Sequence, residues 1–181
     1  MRTPIPSRVG GTWLGIDPGL DGYVAVLLAR DVRPPLVAHV YKTPVFTITK
    51  RSGRGTVRRY NLQGMQEILA RYSGATLAAL EELSGRPGQS SQAVFGMGRG
   101  FGIWEALLAA AKIPMIAVPP MTWKKKLGVT RKPGQDDKAA KAESVLKAQQ
   151  LFPHEDFSKV IYHNKADALL LAEYARVHGT G

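Results

Sequence analysis

Apolar and polar residues follow one another in a pattern typical of a mixed α/β protein. Short apolar runs that end at Pro, Gly or acidic residues predict strands, and longer runs with apolar positions three or four residues apart predict helices. Strands are expected at Thr12–Ile16, Gly22–Ala29, Leu36–Ile48 with a break at Pro44, Thr76–Leu80 and Met115–Val118. Helices are expected at Asn61–Tyr72, Ala93–Ala111, from Gln135 or Asp136 to Leu151, and at Asn164–Val177, with a short basic element at Met121–Lys126.

The order of these elements predicts the fold class. Three strands come before the first helix, and the first two flank the turn sequence DPGLDG, so they are expected to form an antiparallel hairpin. The later strands each follow a helix, which favours parallel pairing. We therefore expect an α/β fold with a mixed five-stranded sheet, three antiparallel strands and then parallel strands, flanked by helices. Residues 1–11 are expected to be a flexible lead-in and residues 12–181 a single domain.

The charge of the chain indicates its class of partner. The 181 residues include 25 Lys and Arg against 14 Asp and Glu, which gives a formal net charge of +11. Such an excess on a small domain favours a polyanion such as nucleic acid, although a basic surface that only maintains solubility is the alternative. The sequence shows no apolar run that approaches the roughly 20 residues of a membrane span, and no signal-peptide pattern, so we expect a cytoplasmic protein.

The absence of Cys limits the chemistry that the chain can perform. Disulfides, thiolate zinc sites and cysteine nucleophiles are all excluded. A metal site would have to use carboxylates, His and carbonyl oxygens, and this set of ligands suits Mg²⁺ or Mn²⁺.

Three acidic residues lie where the predicted elements can bring them together. Asp17 follows the first strand, Glu81 follows the apolar sequence TLAAL, and Asp167 lies within ADALLL of the last helix. Carboxylates in a cluster repel one another unless divalent cations neutralise them, so the three acids predict a metal site. Each acid also has a purely structural interpretation: a turn at Asp17, an exposed strand end at Glu81, and an ion pair of Asp167 with Lys165 or Arg176.

The segments around these acids resemble the RuvC-like Holliday junction resolvases of the ribonuclease-H-like superfamily. LGIDPGLDGYVAVL is similar to their first motif, and ALEEL is similar to their second, with Glu81 rather than Glu82 in the position of the catalytic acid. HNKADALLLAEYA is similar to their closing helix, whose last acid is Asp167 here, and GQSSQAVFGMGRGFGIWEALLAA resembles their long second helix with its lead-in. The resemblance covers most of residues 12–177 and is closest to phage-type and organellar members, so a phage gene is one source that we keep open.

The fourth position of the site departs from the bacterial pattern. Bacterial members commonly have Asp or His three residues before the last acid, and here that residue is Asn164, which binds metal poorly. His163 is the better candidate, because it lies four residues before Asp167 on the same helix face, a spacing that organellar members use. A His there could ligate a metal or donate a proton. The alternative is a His at the start of a helix that contacts only the backbone.

The resemblance implies a Mg²⁺-dependent endonuclease, with Mn²⁺ as a substitute, that serves DNA recombination and repair. Two ions about 3.5–4 Å apart would activate a water and stabilise the leaving 3′ oxygen, which leaves a 5′ phosphate and a 3′ hydroxyl. Asp17 would bridge both ions, Glu81 and Asp167 would hold one each, and His163 would lie beside the second. The substrate would be a four-way DNA junction that is cut symmetrically by a homodimer.

The predicted helix Ala93–Ala111 has more apolar residues than one core face requires, namely Phe95, Met97, Phe101, Ile103, Trp104 and Leu107. Its repeated glycines weaken an isolated helix by about 1 kcal/mol each relative to Ala. A close approach of its backbone to the sheet or to a partner subunit would explain them. A helix buried within a monomer is the alternative.

Basic residues are grouped in segments that are predicted to contact DNA phosphates. The segment Lys50–Arg59 contains five basic and no acidic residues and is expected to be a flexible loop or a hairpin tip. Eight Lys and Arg against three acids lie between Lys124 and Lys147, although the lysines of the predicted helix there are typical of a solvated face. The candidates for DNA contact are Arg54, Arg86, Lys124 and Lys125.

Three other functions remain open at this stage. One is a different ribonuclease-H-like nuclease that cuts RNA–DNA hybrids or flaps, and another is a DNA-binding module that has the fold without the activity. The third is an actin-like ATPase domain, because DPGLDG also resembles a phosphate-holding hairpin, but 181 residues are too few for its two lobes.

Overall fold

A computed structural model describes residues 10–28, 36–83, 85, 87–129, 137–158 and 162–179, and within helices and strands it leaves out the side chains of residues 36–38 and 137–140. The strands of these residues are β1 (Thr12–Ile16), β2 (Tyr23–Leu28), β3 (Leu36–Lys42), β4 (Val45–Thr49), β5 (Thr56–Tyr60), β6 (Leu77–Glu81) and β7 (Met115–Val118). The helices are α1 (Leu62–Ala70), α2 (Ser91–Ala110), α3 (Pro120–Lys126), α4 (Asp137–Leu151) and α5 (His163–His178).

Five of the strands form one mixed sheet in the order β3-β2-β1-β6-β7. The pairs β1–β2 and β2–β3 are antiparallel, and the pairs β1–β6 and β6–β7 are parallel. This topology confirms the predicted fold class. Ile16 at the end of β1 pairs with Leu80 in β6, so the residues that follow them, Asp17 and Glu81, lie at the same edge of the sheet.

Helices cover both faces of this sheet. Successive side chains of each strand point to opposite faces, so apolar side chains are available for packing on both sides. Leu14 and Ile16 of β1 are fully buried on the side of α1 and α2, together with Met65 and Trp104. Full burial of a side chain of the size of Leu or Ile contributes about 1.5–3 kcal/mol to folding. The other side of the sheet packs against α5, and the apolar residues of this helix from Ala166 to Ala175 form a second buried core there.

The contact between β1 and α5 depends on Gly15. A Cβ atom at Gly15 would lie 2.1 Å from the carbonyl oxygen of Ala168 and 2.2 Å from the backbone nitrogen of Ala172. Only a glycine opposite two small residues allows the helix backbone to approach the strand so closely. Asp167 precedes Ala168 in the chain, so this close approach brings its carboxylate to the end of β1.

The remaining two strands form a separate ribbon that the sequence predicted only in part. β4 pairs with β5 in antiparallel register from Val45 opposite Tyr60 to Thr49 opposite Thr56. The predicted strand Leu36–Ile48 is therefore two strands, and it divides at Pro44, which has no N–H group to donate to a ladder. The segment Lys50–Arg59 is a hairpin tip that runs into a strand, so the alternative of a flexible loop is wrong.

The helix ends agree closely with the predicted ones where the structure describes them. The side chain of Asn61 accepts a hydrogen bond from the backbone N–H of Gly64 at 3.1 Å and caps α1, and Ser90 caps α2 in the same way. Most of the predicted lead-in (residues 1–9) and the predicted start of α4 lie outside the described residues, and the single domain stays a prediction. Among the helices that the structure describes, none has the length and apolar character needed to cross a membrane.

Candidate active site

The carboxyl ends of β1 and β6 meet beside the first turns of α5, and the three predicted acids come together there. Asp17 follows β1 and Glu81 ends β6, and both are buried with 9% and 6% of their surface exposed. The side chain of Asp167 in α5 is 16% exposed. The charge of Asp167 acts on both other carboxyl groups, and the charge of Asp17 acts on Glu81. The structure therefore assembles one acidic cluster from two strands and a helix.

Burial makes the ionised forms of these acids costly. It raises the pKa of Asp17 to about 7, an effect that the backbone N–H of Gly19 opposes by donating to Oδ1 at 3.1 Å and that the charge of Asp167 increases. Burial also raises the pKa of Glu81 to about 8, and the charges of Asp167 and Asp17 add to this effect. Without a cation both groups are protonated to a large extent near neutral pH, and a bound divalent cation would favour their ionised forms.

Two neighbouring residues of α3 contact the cluster. The indole Nε1 of the fully buried Trp123 donates a hydrogen bond to Glu81 Oε1 at 3.1 Å. The ammonium of Lys124 lies 3.6 Å from Asp167 Oδ2 and 4.9 Å from the centre of the Trp123 ring. Its charge lowers the pKa of both Asp17 and Glu81, against the stronger effect of burial. The helix α3 thus orients one acid and partly neutralises the cluster.

Sequence reasoning missed the role of Trp123, and it expected Lys124 to contact DNA without a link to the acids. Trp123 and Glu81 are 42 residues apart, and a buried tryptophan in the sequence indicates only a core position. The structural alternative for Asp167 is wrong, because its two expected partners bind other acids: Lys165 pairs with Glu155 at 2.7 Å, and Arg176 pairs with Glu173 at 2.6 Å.

The atoms of the cluster fit a divalent cation. Asp167 Oδ1 is buried and accepts no hydrogen bond, and a buried carboxylate oxygen in this state is costly unless a cation approaches it. The ligands on offer are carboxylate oxygens, which Mg²⁺ and Mn²⁺ prefer. In the part of the chain that the structure describes, no three acidic or His side chains already converge on one point at metal-binding distance.

His163 lies beside the turn that connects β1 and β2. It is the first residue of α5, and it lines a cavity of about 310 Å³ with Asp21, Tyr23, Lys42 and Asn164. The amide of Asn164 donates to the backbone oxygen of Asp21 at 3.0 Å, which links the start of α5 to this turn. The structure thus brings His163 next to residues that follow Asp17 closely in the chain, and its role in catalysis stays a prediction.

The other DNA-binding candidates lie on exposed elements. Arg54 lies at the exposed tip of the β4–β5 ribbon, and Lys125 is exposed on α3 next to Lys124. Arg86 lies outside the described residues. Of the candidates that the structure describes, only Lys124 has a charge that acts on Asp17 and Glu81.

No protein-family model matches this chain, and no curated protein matches its sequence. Solved structures do match it. RuvC of T. thermophilus in complex with a Holliday junction substrate is similar with a TM-score of 0.58 and 18% identity, over 93% of this chain and 96% of that chain. A second structure of Thermus thermophilus RuvC is similar with a TM-score of 0.56 and 23% identity, over 91% and 95% of the two chains. This chain and each of the RuvC chains correspond over nearly their whole length, so this chain has the RuvC-like form of the ribonuclease-H-like fold.

Proposed function

We propose that this chain is a Holliday junction resolvase, a Mg²⁺-dependent endonuclease that cuts the phosphodiester bonds of four-way DNA junctions symmetrically. The observation that carries the proposal is the meeting of three largely buried carboxylates, Asp17, Glu81 and Asp167, at the end of a RuvC-like sheet. The net charge of +11 supports a nucleic-acid substrate. The activity would serve DNA recombination and repair, and the cytoplasmic location stays a prediction.

The acids would hold Mg²⁺, with Mn²⁺ as a substitute, and His163 would act beside them. Two bound divalent ions would supply charge stabilisation on the phosphate and a more acidic water. Hydrolysis breaks the bond between phosphorus and the 3′ oxygen, so a proton must reach that oxygen. An imidazole can complete the set of ligands or deliver this proton, and we keep both roles for His163. Trp123 holds Glu81 in place through its N–H group.

Basic residues around the cluster would hold the DNA backbone. Lys124 lies 3.6 Å from Asp167 Oδ2, so its ammonium would contact a phosphate that reaches the acids. Lys125 continues this basic surface along α3, and Arg54 and Arg86 would contact phosphates further away. Such contacts position the DNA but do not read its sequence.

A homodimer formed through α2 would place two such sites on one junction. α2 exposes 39% of Val94 and 72% of Phe95 to solvent. Cβ atoms added at Gly96, Gly98 and Gly102 would meet nothing within 4 Å, so these glycines leave room for a partner helix. The glycines of α2 were expected to allow a close approach either within the protomer or to a partner subunit. Contact within the protomer accounts only for Gly100, which packs against the oxygens of Tyr60 and Pro18.

The test is cleavage of three substrates in Mg²⁺: a four-way DNA junction, an RNA–DNA hybrid and a flap. We expect paired cuts in the junction and little cleavage of the other two. Glu81→Gln should abolish cleavage and Glu82→Gln, at the exposed neighbouring position, should leave it within a few-fold of wild type. Preferred cleavage of the hybrid or the flap would assign another nuclease activity to the site. Junction binding without cleavage by the wild-type chain would indicate a non-catalytic DNA-binding module.

A further inference from the structure

The β4–β5 ribbon carries a concentration of positive charge. Between Val45 and Tyr60 there are five basic and no acidic residues, and the ribbon is separate from the five-stranded sheet. Arg58 forms an ion pair with Asp21. The other four basic side chains form no ion pair with any residue that the structure describes, and all four are exposed: Lys50, Arg51, Arg54 and Arg59. The ribbon therefore presents uncompensated charge to solvent.

The two faces of the ribbon differ in what they contact. Tyr60 and Arg58 lie on one face, and both contact the turn that connects β1 and β2. The opposite face exposes 47% of Phe46 and 40% of Ile48, and Arg59 lies directly across from Phe46. This outer face combines apolar side chains with cations. A DNA groove offers the complementary surface, because phosphates form its edges and apolar groups such as the thymine methyl lie on its floor.

The base of the ribbon is fixed to the turn that begins at Asp17. The two terminal nitrogens of Arg58 donate to the two carboxylate oxygens of Asp21 at 2.6 Å each. The hydroxyl of the buried Tyr60 donates to the backbone oxygen of Pro18 at 3.0 Å. A Cβ at Gly100 of α2 would lie 2.3 Å from this hydroxyl, so α2 also packs against the contact. The ribbon thus has a defined position relative to the acidic cluster.

We propose that the β4–β5 ribbon is an arm that binds duplex DNA, lying in the major groove of one arm of the substrate and setting the distance from that groove to the bond that is cut. The major groove, about 12 Å wide, admits a two-stranded ribbon. A strand of five residues spans on the order of 15 Å, or about four to five base pairs. The choice of the cut bond rests on the proposed function, whereas duplex binding by the ribbon does not.

The first experiment measures the salt dependence of binding in EDTA, where no cleavage occurs, to a duplex of mixed sequence and to a four-way junction. The double variant Arg51→Gln/Arg54→Gln removes two charges from the ribbon, and the control Lys141→Gln/Lys147→Gln removes two from α4. Loss of two phosphate contacts should reduce the slope of log K against log salt by about 1.8 on both probes. The control should leave the slope unchanged. Equal slopes for the two double variants would overturn the proposal.

The outer face and the anchor are tested separately. Phe46→Ser should weaken duplex binding and leave the oligomeric state unchanged. A changed oligomeric state with unchanged DNA affinity would assign this face to a second copy of the chain and overturn the proposal. Arg58→Lys keeps the charge but loses the paired hydrogen bonds, so junction affinity should stay within about twofold while the cuts spread over neighbouring phosphates. A single unchanged cut position would overturn the role of the anchor.

These outcomes separate the arm from the proposed function. A wild-type chain that binds duplex through the ribbon but cuts no junction would retain the arm and refute the resolvase. A chain that cuts junctions in Mg²⁺ while the ribbon variant keeps the wild-type salt slope would retain the resolvase and refute the arm.

Discussion

Two residues of the acidic cluster, Asp17 and Glu81, are buried in an environment that disfavours their ionised forms. Asp17 and Glu81 lie where the sheet ends, and burial raises the pKa of Asp17 to about 7 and that of Glu81 to about 8. Ordinary surface carboxylates show no such change, and strongly altered pKa values are concentrated at functional sites. In the metal-free protein, ionisation of these buried carboxylates therefore lowers the free energy of unfolding. A bound cation would remove this loss of stability, which can be measured.

In EDTA the free energy of unfolding should fall as the pH rises from about 4 to about 8. The pKa values of Asp17 and Glu81 are about 7 and about 8 in the folded state, against 3.8 and 4.5 as ordinary values. The folded state thus binds more protons, so the stabilisation is fully present below pH 4 and is lost as the pH rises through 7 and 8. Asp17→Asn should reduce this loss by an amount on the order of a few kcal/mol, measured by chemical denaturation at pH 5 and pH 8.5. The exposed Glu82→Gln is the control, and Mg²⁺ should restore the wild-type stability at pH 8.5. An identical pH dependence in Asp17→Asn and wild type would contradict this account.

The fourth position of the site is tested by two neighbouring substitutions. His163→Ala should lower the rate of junction cleavage by about 10²-fold or more, the scale for the loss of an acid–base group. Asn164→Ala removes one exposed hydrogen bond to the backbone of Asp21 and should cost much less. His163→Asp should retain partial activity if the imidazole is a ligand and lose it if the imidazole delivers a proton. Cleavage at the wild-type rate by His163→Ala, together with an inactive Asn164→Ala, would instead support the bacterial i, i+3 arrangement.

The acids were predictable from the sequence because each one interrupts or ends an apolar run. Asp17 follows TWLGI and Glu81 follows TLAAL, so the parallel register of two strands was enough to bring them together. The contacts of α3 were not predictable in this way. The hydrogen bond from Trp123 to Glu81 and the ion pair from Lys124 to Asp167 depend on how a seven-residue helix packs against elements 42 residues earlier and 43 residues later in the chain.

At the level of elements, the position of α5 on β1 decides whether the acids can meet. The strand contributes Gly15 and the helix contributes the fully buried Ala168 and Ala172, so the two backbones touch without side chains between them. Any larger side chain at this crossing would push the helix away from the sheet. Asp167 would then move away from Asp17.

Gly15→Ala should therefore damage both stability and activity. The added Cβ would lie 2.1 Å from the backbone oxygen of Ala168, so the helix must shift, and overpacking of this kind costs about 1–3 kcal/mol or more. Gly74→Ala is the matched control, because a Cβ there would meet nothing within 4 Å. Denaturation measures the stability, and cleavage under conditions where both variants stay folded measures the displacement of Asp167. Equal stability and equal activity of the two variants would mean that α5 does not depend on this contact.

The strands of the β4–β5 ribbon could not be predicted in full from the pattern of apolar residues. The central strands of the sheet are buried on both faces and so carry nearly continuous apolar runs, whereas most residues of the ribbon are exposed. The sequence TVRRY therefore carries no strand signal, and its pattern predicts only a basic loop or hairpin tip. Pro44 was recognised as a break, yet the pattern did not show that the chain leaves the sheet there.

For the whole molecule, the proposed function requires two cuts on one junction. The described residues of one protomer form one acidic cluster, so symmetric cleavage would require a second copy whose cluster faces the opposite strand. α2 is the element that the proposed function assigns to this contact, with Phe95 exposed and glycines that leave space beside it. Loss of the dimer should therefore change both the mass of the protein in solution and the DNA products that it forms.

Phe95→Glu should separate the protomers, because it would bury an unpaired charge in the proposed contact. Leu146→Glu on α4 is the matched control, since Leu146 is a similarly exposed apolar residue with 53% of its surface accessible. Sedimentation should give a dimer for wild type and control and a monomer for Phe95→Glu. On a supercoiled plasmid with an extruded cruciform, two cuts in one binding event give linear DNA, whereas single cuts give nicked circles. We expect linear product from wild type and control, and only nicked circles or uncut plasmid from Phe95→Glu. A Phe95→Glu variant that remains dimeric and still produces linear plasmid would exclude α2 as the dimer contact.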